Sequence, residues 1–260
     1  MSLALIQKLN AMLLSEMPEY RVQAAQVAAD AAAQRTLLRA LMNVRPPRPL
    51  SEAYLRLEGE LLSKEREQRG VVDVMTLPSV SSDARIILWQ GDITRLNADA
   101  IVNAANSALL GCFIPCHRCI DNAIHSAAGL QLRAECAALM ERQGHPEETG
   151  RAKITAGYNL PARHVLHTVG PIVSGTLTEE HRELLASCYR SCLHLAAEHG
   201  LKSVAFCCIS TGEFHFPNAA AAEIAVREVR SILAHDSTIE RVIFNVFKDE
   251  DRVLYEGLLQ

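Results

Sequence analysis

Trp89-Gln90-Gly91-Asp92-Ile93-Thr94-Arg95-Leu96-Asn97-Ala98-Asp99-Ala100-Ile101-Val102-Asn103-Ala104-Ala105-Asn106 is the stretch on which the fold turns. An apolar strand ends at Trp89, so Gly91-Asp92-Ile93-Thr94 falls at a strand's carboxyl end, where open α/β sheets hold ligands. A carboxylate there can accept a hydrogen bond from an exocyclic amine, or it can simply cap a turn. A second apolar run follows at once from Asp99 and ends in two asparagines, Asn103 and Asn106.

Outward from this stretch, short β-rich runs alternate with helical ones, the pattern of a layered α/β fold. The strands are expected at Arg85–Trp89, Ala100–Ala104, Ala152–Tyr158, His164–Val169, Ser203–Cys207 and Arg241–Val246. The helices are expected at Ile120–Arg142, Glu179–His199, Pro217–Ala234 and Asp249–Leu259. Residues 1–70 differ: Ala, Leu, Glu, Gln and Arg dominate, and no glycine precedes Gly59. They read as an all-α extension of three helices, Ser2–Glu16, Tyr20–Asn43 and Ser51–Arg69, with Arg45-Pro46-Pro47-Arg48-Pro49 between the last two. The remainder, 71–260, is one α/β domain.

A second ligand-facing segment is Ser210-Thr211-Gly212-Glu213-Phe214, between a strand and a helix that opens near Pro217. Consecutive amides at such a turn form an anion nest, and Gly212 lets the backbone approach closely. No Lys or Arg lies in this segment, so an anion would be held by amides rather than by ion pairs.

Between Asn106 and the next helix stands Gly111-Cys112-Phe113-Ile114-Pro115-Cys116-His117-Arg118-Cys119. Two thiols and an imidazole, Cys112, His117 and Cys119, within eight residues suit one zinc ion, and three ligands leave a coordination position open. Cys116 is expected outside the set, since residues as close as Cys116 and His117 rarely face one ion together. Asp121 and His125 follow, four apart and so on one face at a helix N-terminus, whose dipole should keep Asp121 ionised.

GDIT and DAIVNAAN together, with His167-Thr168-Val169-Gly170-Pro171 and the STGEF segment, resemble the macrodomain family from about Trp89 to the C-terminus. The resemblance implies a three-layer α/β/α sandwich with a mixed central sheet, and ADP-ribose as ligand. It implies that Asp92 reads the adenine amine with Ile93 beside it, and that Asn106, Ile120, Asp121 and Phe214 face the distal ribose. Ser210, Thr211, Gly212 and Glu213 would take the pyrophosphate. Most macrodomains carry a glycine-rich run where residues 112–119 stand, and the Cys112, His117, Cys119 pattern matches the zinc-containing subfamily.

The function this implies is hydrolysis of mono-ADP-ribose from modified proteins, a glycohydrolase-type reaction with Asn106, Asp121 and His125 as catalytic residues. Acidic side chains are the expected attachment point, because a leaving carboxylate of pKa about 4 needs no strong general acid. Two alternatives use the same residues: a reader that binds ADP-ribose without cutting it, and a deacetylase of O-acetyl-ADP-ribose. A net charge of −4 over 260 residues lacks the basic footprint of a nucleic-acid partner. No apolar run approaches membrane-spanning length, and the N-terminus lacks a signal-peptide plan, so a cytoplasmic protein is expected.

Overall fold

The computed structural model describes residues 2–236 and 238–260. Helices α1 (Leu3–Glu16), α2 (Arg21–Ala25), α3 (Ala31–Val44) and α4 (Glu52–Arg69) come first. The sandwich follows as β1 (Val72–Asp73), β2 (Ile86–Gln90), β3 (Leu96–Asn97), β4 (Ala100–Ala105), α5 (Ile120–Ala128), α6 (Leu130–Gln143), β5 (Ala152–Ala156) and β6 (His164–Val169). It closes with α7 (Glu179–Glu198), β7 (Ser203–Phe206), α8 (Asn218–Leu233), β8 (Arg241–Val246) and α9 (Asp249–Leu258).

The main sheet has the order β2-β8-β7-β4-β6-β5. Every neighbouring pair is parallel except β5 with β6, so the sheet is mixed, as expected. The central strands are buried along nearly their whole length because helices cover both faces: β7 is buried at every position, and β4 at every position but Ala104. Helices α7, α8 and α9 pack on one another, while α5 and α6 pack against β4 and β5. The carboxyl ends of the parallel strands therefore share one edge, and Asp92, Asn106, Ser210 and Phe247 all lie just beyond them.

Two helices expected as continuous are broken. The Tyr20–Asn43 stretch stops at Ala25 and restarts at Ala31, because the Asp30 carboxylate accepts the Ala33 N–H at 2.9 Å and caps a new helix. The Ile120–Arg142 stretch breaks at Gly129, which sits at φ +93° with the Glu58 carboxylate where a Cβ would stand. A two-residue parallel pairing of β1 with β3 was not expected; it is too short to carry a periodicity.

The extension has its own apolar cluster of Ile6, Leu9, Leu13, Met17, Leu38, Leu41, Met42, Tyr54, Leu57 and Leu61, which Leu130 of the sandwich joins. Much of the seam between the two parts is polar. Glu58 accepts the Leu130 N–H at the start of α6, Arg66 donates to the Asn159 carbonyl, and Arg133 donates to the carbonyls of Met42, Asn43 and Arg45. That last contact satisfies carbonyls at the C-terminus of α3, which have no partner within the helix.

Candidate active site

Asp92 follows β2, and its Oδ1 accepts the Thr94 N–H at 2.9 Å and the Thr94 hydroxyl at 2.7 Å. It is thus a turn cap, as one sequence reading allowed, yet among the described residues its Oδ2 is met only by Arg69 Nη1 at 3.4 Å. Arg69 comes from the end of α4, and nothing local in the sequence pointed to it. Ile93 is buried beneath this turn. Phe247, just past β8, is 76% exposed although aromatic, and Gly91 N–H bonds to the Val246 carbonyl beside it. The sequence reading passed over Phe247 because it continues the apolar pattern of the strand.

The Ser210–Phe214 turn has the open amides that an anion nest requires. Among the hydrogen bonds of the described residues, the N–H groups of Thr211, Gly212 and Glu213 donate to none. Ser210 is held at φ +65°, and its buried hydroxyl has no hydrogen-bond partner among the described residues. Gly170 lies directly against it: a Cβ there would fall 2.0 Å from Ser210 Oγ. Phe214 is half-buried at the end of the turn, and its carbonyl accepts the Val173 N–H at 2.9 Å.

Asp121 lies in the first turn of α5, after the half-buried Ile120, and is 5% exposed. Both asparagines of the Asn103–Asn106 motif reach it: Asn103 Nδ2 donates to Oδ1 at 2.8 Å and Asn106 Nδ2 to Oδ2 at 3.3 Å. Asn103 continues inward, its Nδ2 lying 3.2 Å from His167 Nδ1, while His167 Nε2 meets the Thr155 hydroxyl at 2.9 Å. Burial pushes the Asp121 carboxyl up to about 6, against the pull of the Asn103 hydrogen bond and of Arg133. Desolvation works against the helix dipole, and at about 6 the carboxyl is still mostly ionised at neutral pH.

His125 stands one turn further along, with Nε2 3.5 Å from Asp121 Oδ1. Its ring is fully buried, both nitrogens lack a hydrogen-bond partner among the described residues, and burial with His167 nearby holds its pKa well below 6.5. This is a neutral imidazole packed behind the carboxylate, beneath Gly111, rather than a solvent-facing acid. A cavity of about 10 Å³ beside it, lined in part by Asn43, Ser126 and Arg133, has room for about one water molecule.

The donor atoms of Cys112, His117 and Cys119 lie within 4.8 Å of one another, each half-buried. His117 Nδ1 is 3.6 Å from Cys112 Sγ, while Nε2 lies 3.6 Å from Glu213 Oε1. Nδ1 is thus the nitrogen turned toward the thiols, and Glu213 faces the other one, the usual arrangement of a carboxylate behind a metal-ligating histidine. Burial, together with Cys112 and Asp121, pushes the Cys119 thiol up to about 12. Two thiols this close can both be thiolates only around a cation, so the donor set fits Zn²⁺. The Cys116 thiol turns away toward the Thr36 carbonyl of α3 at 3.6 Å.

Residues 102–225 match the family model described as "Macro domain". The chain is 51% identical over 249 residues, 95% of each sequence, to a protein of Treponema medium named "Protein-ADP-ribose hydrolase". It is likewise 51% identical over 221 residues to a protein of the same name in Staphylococcus aureus strain MSSA476, covering 85% of this chain and 82% of that one. The crystal structure of the Trypanosoma brucei macrodomain in complex with ADP-ribose superposes with a TM-score of 0.67 at 34% identity, covering 85% of this chain and 95% of that one. The chain therefore belongs to the macrodomain family, among relatives that are protein-ADP-ribose hydrolases.

Proposed function

We propose that this protein is a zinc-dependent hydrolase that removes mono-ADP-ribose from the acidic side chains of modified proteins. The observation that carries the reading is the double grip of Asn103 and Asn106 on Asp121, next in sequence to the Cys112–His117–Cys119 cluster. In this reading the adenine amine donates to Asp92 Oδ2 beside the Ile93 amide, with Phe247 stacked on the base. The amides of Thr211, Gly212 and Glu213 hold the pyrophosphate, with the unpartnered Ser210 hydroxyl below it. Asn106, Ile120 and Phe214 border the distal ribose.

Hydrolysis breaks the bond from the anomeric carbon to the carboxylate oxygen; water supplies the new hydroxyl, and its proton leaves with a base. Positive charge develops at that carbon, so a nearby carboxylate lowers the barrier. Asp121 is that carboxylate, and when ionised it also accepts the water proton. Asn106 orients it toward the ribose. Zn²⁺ held by Cys112, His117 and Cys119 would supply a Lewis acid at the same end of the cleft. A buried, neutral His125 cannot donate to a poor leaving group, which favours acidic linkages over serine ethers. All eight cysteines are unpaired, which suits the reducing cytoplasm.

The test is release of ADP-ribose from an acceptor protein mono-modified on Asp or Glu. Turnover is expected with the wild type and zinc, and is lost in Asp121→Ala and after chelation. Tight ADP-ribose binding without turnover would make the protein a reader instead, and faster cleavage of O-acetyl-ADP-ribose would make it a deacetylase.

A further inference from the structure

We propose that the N-terminal helical extension is the outer half of the metal site, with Arg39 and Asn43 of α3 as positioning residues that hold the 111–119 loop in its metal-binding shape. The proposal rests on the reading of Cys112, His117 and Cys119 as ligands.

Arg39 uses its planar fork twice. Nη2 donates to the His117 carbonyl at 3.2 Å, and Nη2 and Nε donate to Asn122 Oδ1 at 2.8 and 3.2 Å. With its oxygen so engaged, the fully buried Asn122 turns its amide group into the loop, donating to the Ile114 carbonyl at 3.0 Å and the Cys112 carbonyl at 3.5 Å. Asn43, 1% exposed, accepts the Cys116 N–H at 2.9 Å and donates to the Ser126 hydroxyl at 3.0 Å. That contact fixes Cys116 at φ +53°, a left-handed conformation costly for a residue with a side chain. Arg133 anchors the start of the loop through Leu110 O at 2.7 Å while gripping the end of α3.

Arg39 and Asn43 reach the loop through its backbone and through Asn122 and Ser126 of α5; neither contacts a donor atom of the three ligands. α3 therefore shapes the loop without competing for the ion. Ordering a free loop would cost conformational entropy at every residue fixed. A loop already ordered by α3 spares metal binding that cost, and affinity rises accordingly. The extra cysteine also gains an explanation: Cys116 is where the loop turns onto α3, and its thiol meets the Thr36 carbonyl rather than the ion.

The experiment measures zinc affinity of the full chain by competition with a chromophoric chelator. Arg39→Met, Asn43→Ala and the double variant are compared with wild type, with circular dichroism and ADP-ribose titration confirming the fold. Arg35→Met is the control: it removes the Arg35–Glu65 ion pair inside the extension without touching the loop. Zinc affinity is expected to fall about 10- to 100-fold in Arg39→Met, the range for lost partners of metal ligands, and further in the double variant. Arg39→Lys, which keeps the charge but lacks the fork, should fall between. ADP-ribose affinity should hold, since its adenine and pyrophosphate contacts lie on other loops. Unchanged zinc affinity in the double variant overturns the proposal, as does an equal loss in Arg35→Met. A wild type that binds no zinc overturns the metal reading beneath it.

Discussion

At the scale of the residue, the site depends on polar groups that are correct only in pairs. Asn103 shows this: it lies within an apolar strand at 0% exposure, and its amide bridges Asp121 and His167. Asn103→Ala leaves a buried carboxylate short of a donor, which costs about 2 kcal/mol of stability. Turnover should fall while ADP-ribose affinity holds, because Asn103 does not line the nucleotide cleft. Equal losses in turnover and affinity would contradict that placement. Gly170→Ala tests the other wall. A Cβ there falls 2.0 Å from Ser210 Oγ and 2.9 Å from Ile209 Cγ2, so the 210–214 turn must shift. ADP-ribose affinity is expected to drop roughly tenfold, the equivalent of about 1.4 kcal/mol, with zinc content unchanged. The segments that form the candidate site were legible in the sequence, since glycines, asparagines and paired thiols mark them locally. The pairings were not. Arg69 on Asp92 and Asn103 on Asp121 are contacts made through the fold, and the ionisation of Asp121 is set by burial that no neighbouring residue announces.

At the scale of the element, helix ends explain what the sequence revealed and what it hid. The strands are legible because β4, β6 and β8 are each built on valine, isoleucine, leucine or phenylalanine, with only a few polar residues among them, and are bounded by polar turns. The two helix breaks were hidden for different reasons. Asp30 is an N-cap embedded in an alanine-rich run that reads as continuous helix. Gly129 breaks its helix because Glu58, 71 positions earlier in the chain, occupies the space beside it. Glu58 accepts the Leu130 N–H and the Tyr54 hydroxyl, yet burial pushes its carboxyl up to about 7 from 4.5. The folded state therefore holds the Glu58 proton more tightly than the unfolded chain. Its contribution is greatest below the unfolded pKa and is lost as pH rises through the folded one. Stability should decline between about pH 5 and pH 8 by at most about 3 kcal/mol from this group. Glu58→Gln keeps an acceptor for Leu130 and cannot ionise, so denaturant midpoints followed against pH should be flatter over that window. A variant with the wild-type slope would place the pH dependence elsewhere.

At the scale of the whole molecule, two apolar clusters meet across a polar seam, and the 111–119 loop lies against that seam. Composition distinguished the helical extension from the sandwich, but nothing in it indicated that α3 would lie on the loop, since that contact joins residues about 80 positions apart. The arrangement has a thermodynamic consequence. An ion bound only by the folded loop stabilises whatever must stay folded to hold that loop, by about 2.7 kcal/mol at a free concentration of 100 times Kd. For a chain of 260 residues this corresponds to a rise in Tm of roughly 5 °C. Because α3 and α5 both grip the loop, extension and sandwich should unfold in a single zinc-sensitive transition, and a chelator should lower its midpoint without splitting it. Calorimetry of the full chain with and without chelator reads this directly. Were the extension to melt first, at a temperature indifferent to zinc, α3 would be only an appended layer; a shared shift requires that the loop be held from both sides.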